Sequence, residues 1–203
     1  MDLNRIFIKN CGQTTLSIYT LGIELDMGYI YGAFILFVLI ASSNAVNLTD
    51  GLDGLAGGLS VMAFLAFALI SYGSTWVSGY ADIAIFSFIL VGSLMGFLLY
   101  NTYPAKIFMG DSGSLALGGL FASIAIIEDL TIALFVIGGV FVCEMFCVCL
   151  QQVSVRLFHK RVFSYTPIHY AFVIKGHKET SVVIGFYIAA AISGIIGVII
   201  GLI

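Results

Sequence analysis

The sequence predicts an all-α membrane protein: a polytopic bundle of about six transmembrane helices with a small outer N-terminal hairpin. Three observations carry this. Of the 203 residues, 61% are hydrophobic and 9% charged, whereas a soluble domain carries roughly 25% charged residues. Apolar runs approaching the ~20 residues that a hydrocarbon core requires recur along the chain. The Lys and Arg residues beyond position 27 all fall in alternate connections, as the positive-inside rule demands.

The elements follow in order. Residues 1–27 form an extracytoplasmic N-terminal segment. It lacks the apolar stretch of a secretory leader, and Ser17–Tyr19 and Ile23–Asp26 alternate around Gly22 as a hairpin would. Residues 28–203 form the transmembrane domain. Its spans are predicted at about Gly28–Ala45, Leu55–Tyr72, Ile83–Tyr100, Leu115–Ile127, Leu130–Leu150 and Ser181–Ile203. The fourth is short and glycine-bounded, so it is either tilted or continues into its polar loop. Arg156, Lys160, Arg161, Lys175, Lys178 and Lys106 lie in connections of one parity, and Asp82, Glu128 and Asp129 in the other. Three loops, 46–54, 101–114 and 151–180, are therefore expected on the cytoplasmic face.

Composition also excludes classes of function. No basic patch is large enough for nucleic acid, and no internal repeat supports an inverted-repeat transporter. Cys143, Cys147 and Cys149 lie in an apolar run without metal-ligand spacing and read as small buried apolar side chains.

The chemistry is concentrated in the three loops. The first holds Asn44, Asn47, Asp50 and Asp53 among glycines. Ionised carboxylates beside a bilayer are costly and need a reason. If Asp50–Ala56 opens the second span as a helix, the two aspartates share a face; the competing reading is a helix cap with a first-turn acid. In the second loop, Gly110-Asp111-Ser112-Gly113-Ser114 sets a carboxylate among small residues at a helix start. Free N–H groups there suit phosphate oxygens, and Asp111 suits a magnesium ion bridging them; capping is again the alternative. The third loop carries all three histidines, of which His169, just after Pro167, is the best functional candidate. Its Lys and Arg residues suit anionic lipid headgroups. Glu144, inside the fifth span, is either functional or hydrogen-bonded between helices. Three aspartates, several amides, a histidine and cations on one face equip it to bind a magnesium-diphosphate group near lipid.

Three motifs carry a resemblance: Asn44–Ala56 (NAVNLTDGLDGLA), Tyr103–Gly119 (YPAKIFMGDSGSLALGG) and Thr166–Glu179 (TPIHYAFVIKGHKE). The first two are long and specific. Over essentially its whole length the chain resembles the phospho-N-acetylmuramoyl-pentapeptide transferases, within the polyprenyl-phosphate N-acetylhexosamine-1-phosphate transferase superfamily (glycosyltransferase family 4). The resemblance implies transfer of phospho-N-acetylmuramoyl-pentapeptide from its UDP carrier (UDP-MurNAc-pentapeptide) to undecaprenyl phosphate, giving lipid I and UMP in peptidoglycan biosynthesis, with Mg2+ as cofactor. It implies Asp111 as the metal-binding aspartate with Asn47 near the ion, and Asp50 and Asp53 as the acidic pair shaping the nucleotide-sugar pocket. It also implies Asn101, Phe108 and Gln151 as uridine-contacting positions, Phe108 by stacking, with Asn44 and Ser114 among the substrate-binding residues. His169 matches the first of three consecutive histidines in the family; Tyr170 and Ala171 replace the other two.

The family has about ten spans and an early loop with adjacent aspartates. No Asp-Asp pair occurs here. The chain is therefore expected to correspond to a C-terminal portion of the family's enzyme, partnered by a second copy or a separately encoded N-terminal half. The N-acetylglucosamine-1-phosphate branch of the superfamily, and a non-catalytic piece that binds nucleotide-sugar or lipid phosphate, are the alternatives.

Overall fold

The computed structural model describes residues 14–18, 23–73 and 81–202. Its elements are β1 (Thr15–Ile18), β2 (Ile23–Asp26), α1 (Ile30–Thr49), α2 (Leu55–Gly73), α3 (Ala81–Asn101), α4 (Gly110–Ile127), α5 (Thr131–Ile137), α6 (Gly139–Phe158), α7 (Ile168–Ile174) and α8 (Glu179–Leu202). Helices α1, α2, α3, α4, α6 and α8 are each long and apolar enough to cross a membrane. The protein is a multi-pass helical membrane protein.

The strands pair antiparallel with Thr15 opposite Asp26 and Ile18 opposite Ile23. The first strand thus begins two residues before the predicted one, and residues 19–22, including the expected turn, lie outside the described residues. Asp26 ties off the open end. It accepts the Thr14 hydroxyl (2.5 Å) and the Gly28 N–H (3.0 Å), which hold its carboxyl below the usual range.

Helix α2 is the central helix. In its most apolar stretch 72% of residues are buried, against 17–39% in the other five. It packs on α3 and α8, while α1 packs on α4 and α6. Such helices are apolar all round, because one side meets lipid and the other meets protein. Association then rests on close fit rather than on expelling water, so small residues mark the crossings. Among the described glycines, Gly118 makes the closest approach to another helix's backbone. A Cβ there would lie 2.4 Å from the Ser42 carbonyl oxygen and 2.5 Å from the Ser43 Cα, so the backbones of α1 and α4 nearly touch. The Ser43 hydroxyl donates to the Leu115 carbonyl at the same crossing (2.6 Å). By contrast Gly92 and Gly96 on α3 meet nothing within 4 Å.

Three helix boundaries differ from expectation. The first span runs on to Thr49, so Asn44 and Asn47 are helical rather than in a loop. The fourth begins at Gly110, because Gly-Asp-Ser-Gly-Ser is itself a good helix start with Asp111 in the first turn. The fifth is broken at Gly138, which ends α5, and the spanning helix is Gly139–Phe158. Hydropathy stops at Leu150, but Gln151 and Ser154 continue α6 and use their side chains to hold the segment that follows. Gln151 accepts the Val162 and Phe163 N–H groups (both 3.0 Å), and Ser154 donates to the Lys160 carbonyl (2.8 Å). The cysteines depart as well: Cys147 is buried, but Cys143 and Cys149 are exposed on α6.

Candidate functional site

Residues 50–54 turn between α1 and α2, and neither aspartate is helical. The expected helix start at Asp50 is replaced by a C-cap, whose N–H closes onto the Val46 and Asn47 carbonyls. The turn needs Gly54 at φ 79°, a left-handed conformation that side chains disfavour. It is then clamped from every neighbouring element. Gly54 donates its N–H to Asn101 Oδ1 (3.1 Å) and accepts the Tyr187 hydroxyl (2.6 Å). The Gly51 carbonyl accepts the Tyr170 hydroxyl (2.8 Å), and the Asp53 N–H donates to Glu179 Oε1 (2.9 Å). Asp53 Oδ2 accepts the Ala105 N–H (2.9 Å), which ties this turn to the second loop. The three polar loops therefore meet at one end of the bundle.

The start of α4 forms the second wall. The Gly118 crossing brings the last turn of α1 alongside the first turn of α4, and Asn47 Nδ2 donates to Asp111 Oδ1 and to Ser114 Oγ, both at 3.0 Å. Ser114 is fully buried and donates in turn to the Gly110 carbonyl (3.1 Å). Burial, and then the charge of Asp111, raise the Asp50 carboxyl above its ordinary range. Two acids that disfavour each other's charge are stabilised by a cation between them. The donors here are hard oxygens, from the Asp111 and Asp50 carboxylates and the Asn47 amide. Among the described residues no three His, Cys, Asp or Glu side chains gather as a metal cage. That combination fits magnesium, which takes one or two carboxylates and fills its shell with water and phosphate oxygens.

Helix α7 is the third wall, an element that sequence periodicity did not reveal because it is only seven residues long. His169 is wholly buried, its Nδ1 3.1 Å from Glu144 Oε1 of α6, and Glu144 is wholly buried too. Tyr170, the departure from the family's histidines, lies against His169 with ring centroids 4.4 Å apart and reaches Gly51. Burial, followed by the charges of Glu179, Tyr165 and Asp50, raises its phenol, so the hydroxyl stays protonated and remains a donor.

The other candidates divide by placement. Asn101 is buried, with its amide spent on Gly54 and on the Ile107 carbonyl (2.9 Å). Gln151 is likewise spent, on the 162–163 backbone. Both hold loops in place. Phe108 is 76% exposed, its ring open to a ligand. Asn44 is exposed, donates back to the Ile40 carbonyl (2.8 Å) and joins neither cluster. Sequence reasoning missed Glu179, Tyr187 and Tyr170 as clamps of the acidic turn. Glu179 had a signal, as the acid closing the Lys-Gly-His-Lys-Glu run; a tyrosine within an apolar span gives none. Beside Asn47, the preceding Val46 borders an apolar cleft of about 230 Å³ between α1 and α6, also lined by Phe37, Phe121, Phe141, Met145 and Phe146.

Comparison with known proteins matches the site's setting. The family model described as glycosyl transferase family 4 matches residues 3–129. The phospho-N-acetylmuramoyl-pentapeptide-transferase of Anoxybacillus flavithermus is 46% identical over 186 residues, 92% of this chain and 56% of the relative. Those of Shouchella clausii (47%) and Bacillus subtilis (46%) each align over 176 residues, 87% of this chain and 53% of theirs. The chain spans about half the length of the curated relatives it matches. With the Asn47–Asp111 pair, the clamped acidic turn and Ser114 all inside the matched stretch, the chain belongs to glycosyl transferase family 4.

Proposed function

We propose that this chain carries the nucleotide-sugar side of a phospho-N-acetylmuramoyl-pentapeptide transferase. In that reaction a phosphate oxygen of undecaprenyl phosphate attacks the β-phosphorus of UDP-MurNAc-pentapeptide. The bond from that phosphorus to the oxygen bridging the α-phosphate breaks, and UMP leaves with the bridging oxygen. The acceptor is already largely ionised near neutral pH, because a phosphate monoester's second pKa is about 6. Positioning therefore matters more than a base. The observation that carries the reading is the Asn47–Asp111 contact of 3.0 Å across α1 and α4, beside the half-buried Asp50.

Magnesium, held by Asp111 with Asp50 and the Asn47 amide at its edge, would supply charge neutralisation at the diphosphate. The residues of the chain do the rest. Asn47 orients the Asp111 carboxylate. Asp53 and Glu179 fix the acidic turn through backbone N–H groups. Phe108 offers a face to the uracil ring. The apolar cleft beside Val46 suits the prenyl tail of the acceptor, and the exposed Lys106, Arg156, Lys160 and Arg161 at this end favour a cytoplasmic orientation.

The test is turnover. The chain is reconstituted in bilayers, alone and together with the portion of the Bacillus subtilis relative that the match leaves uncovered. Both substrates are supplied and UMP is measured. Magnesium-dependent UMP that disappears in Asp111→Asn supports the reading. No UMP in either preparation, or full activity in Asp111→Asn, refutes it.

A further inference from the structure

Glu144 sits in the second turn of α6 and is 0% exposed. All its hydrogen bonds go to one place. Oε2 accepts the Ile168 N–H (2.7 Å), and Oε1 accepts both the His169 N–H (3.1 Å) and His169 Nδ1 (3.1 Å). Pro167, the residue before α7, gives the helix no side-chain cap, so a carboxylate from a different helix does that work. The third contact goes beyond capping. A carboxylate only accepts, so the hydrogen of a neutral His169 is on Nδ1 and the lone pair on Nε2.

Nε2 is where the ring meets the acidic turn. A Cβ on Gly51 would lie 2.5 Å from it. The atom is buried, and among the described residues it has no hydrogen-bond partner. A buried acceptor left unpaired is destabilising. Here it is held in a ring that contacts both Tyr170 and Phe186, against Gly51, one residue from Asp50.

We propose that Glu144 is a positioning residue: it fixes His169 in the Nδ1–H tautomer and so presents the bare Nε2 at Gly51 to a hydrogen-bearing group of the substrate. The inference rests on the transferase reading for what the substrate is, and on the geometry alone for the tautomer. Leucine at 144 removes every acceptor from Nδ1, so nothing holds the hydrogen there and the ring returns to the Nε2–H form.

The experiment reads the two parts separately. The chain is prepared in bilayers with 15N-labelled histidine rings, and His169 is assigned by its loss in His169→Gln. The expected result is a protonated Nδ1 and an unprotonated Nε2 at mildly alkaline pH. Glu144→Leu moves the hydrogen to Nε2 and Glu144→Asp keeps it on Nδ1. A protonated Nε2 in the unaltered chain overturns the inference. So does an unchanged tautomer in a folded Glu144→Leu variant. In the reconstituted turnover assay, Glu144→Leu lowers kcat by about tenfold or more with little change in KM. The double variant Glu144→Leu/His169→Gln is no slower than His169→Gln alone, because Glu144 acts through the ring. Additive losses overturn the positioning role. Absence of turnover in every preparation refutes the transferase reading instead, and the ring nitrogens still decide the tautomer.

Discussion

Replacing Gly118 by alanine tests how packing builds the site. The new methyl group would lie 2.4 Å from the Ser42 carbonyl oxygen and 2.5 Å from the Ser43 Cα, where ordinary contact begins at 3.4 Å. Both neighbours are backbone, so no side chain can rotate away, and α1 and α4 must separate by about 1 Å. Asn47 and Ser114 lie one helical turn from this crossing. Their 3.0 Å contact, and that of Asn47 with Asp111, would lengthen towards 4 Å and cease to be hydrogen bonds. Overpacking costs about 1–3 kcal/mol, and losing a hydrogen bond to a charged group about 1.5–3 kcal/mol. At 2–4 °C per kcal/mol for a chain of this size, melting in detergent should fall by roughly 10 °C. Gly119→Ala is the control, since its methyl group would meet only Ser43 Oγ, at 3.7 Å. A Gly118→Ala variant that melts with the unaltered chain would refute the reasoning.

Other outcomes follow from the same geometry. Glu128, just beyond α4 at the opposite end of the bundle, is 1% exposed and takes the Ser71 hydroxyl; burial pushes its carboxyl from an ordinary 4.5 up to about 7. A raised pKa favours the neutral acid in the folded state, so this stability is complete below about pH 4.5 and is lost as pH rises through 7. The loss approaches about 3 kcal/mol, and melting curves across that range should show it in the unaltered chain and not in Glu128→Gln. Asn101→Ala leaves the buried Gly54 N–H unpaired, at about 1–3 kcal/mol, and frees the part-buried Ile107 carbonyl at a smaller cost; an unchanged melting temperature would contradict the clamping role. Gly51→Ala drives a methyl group to 2.5 Å from His169 Nε2 and 2.8 Å from the Tyr170 hydroxyl. It should open the acidic turn, read as faster amide exchange over residues 50–54.

The fold class and the approximate positions of all six spans were legible, because apolar length and the sidedness of Lys and Arg are properties of the sequence itself. The ends of the spans were not. Hydropathy ends α1 at Ala45 and α6 at Leu150, yet Asn47 and Gln151 stay helical, because their side chains find partners that only the folded bundle supplies. The break at Gly138 is likewise decided by packing: an added Cβ on Gly197 of α8 would lie 2.4 Å from Ile137 Cγ1, so α5 ends hard against that helix. In the candidate site, Asp50, Asp53, Asp111 and His169 stood out because polar residues beside apolar runs are conspicuous. Their partners did not: Glu144 lies 25 residues from His169, Tyr187 lies 133 from Gly54, and no periodicity links such pairs.

The most direct test of the proposed metal-diphosphate site uses manganese(II) in place of magnesium. Its electron paramagnetic resonance signal is titrated with the purified chain in the presence of UDP. A cluster built from Asp111, Asp50 and Asn47 predicts one bound manganese per chain that requires UDP and is lost in Asp111→Asn. Equal binding by the unaltered chain and Asp111→Asn, or binding indifferent to UDP, would contradict it.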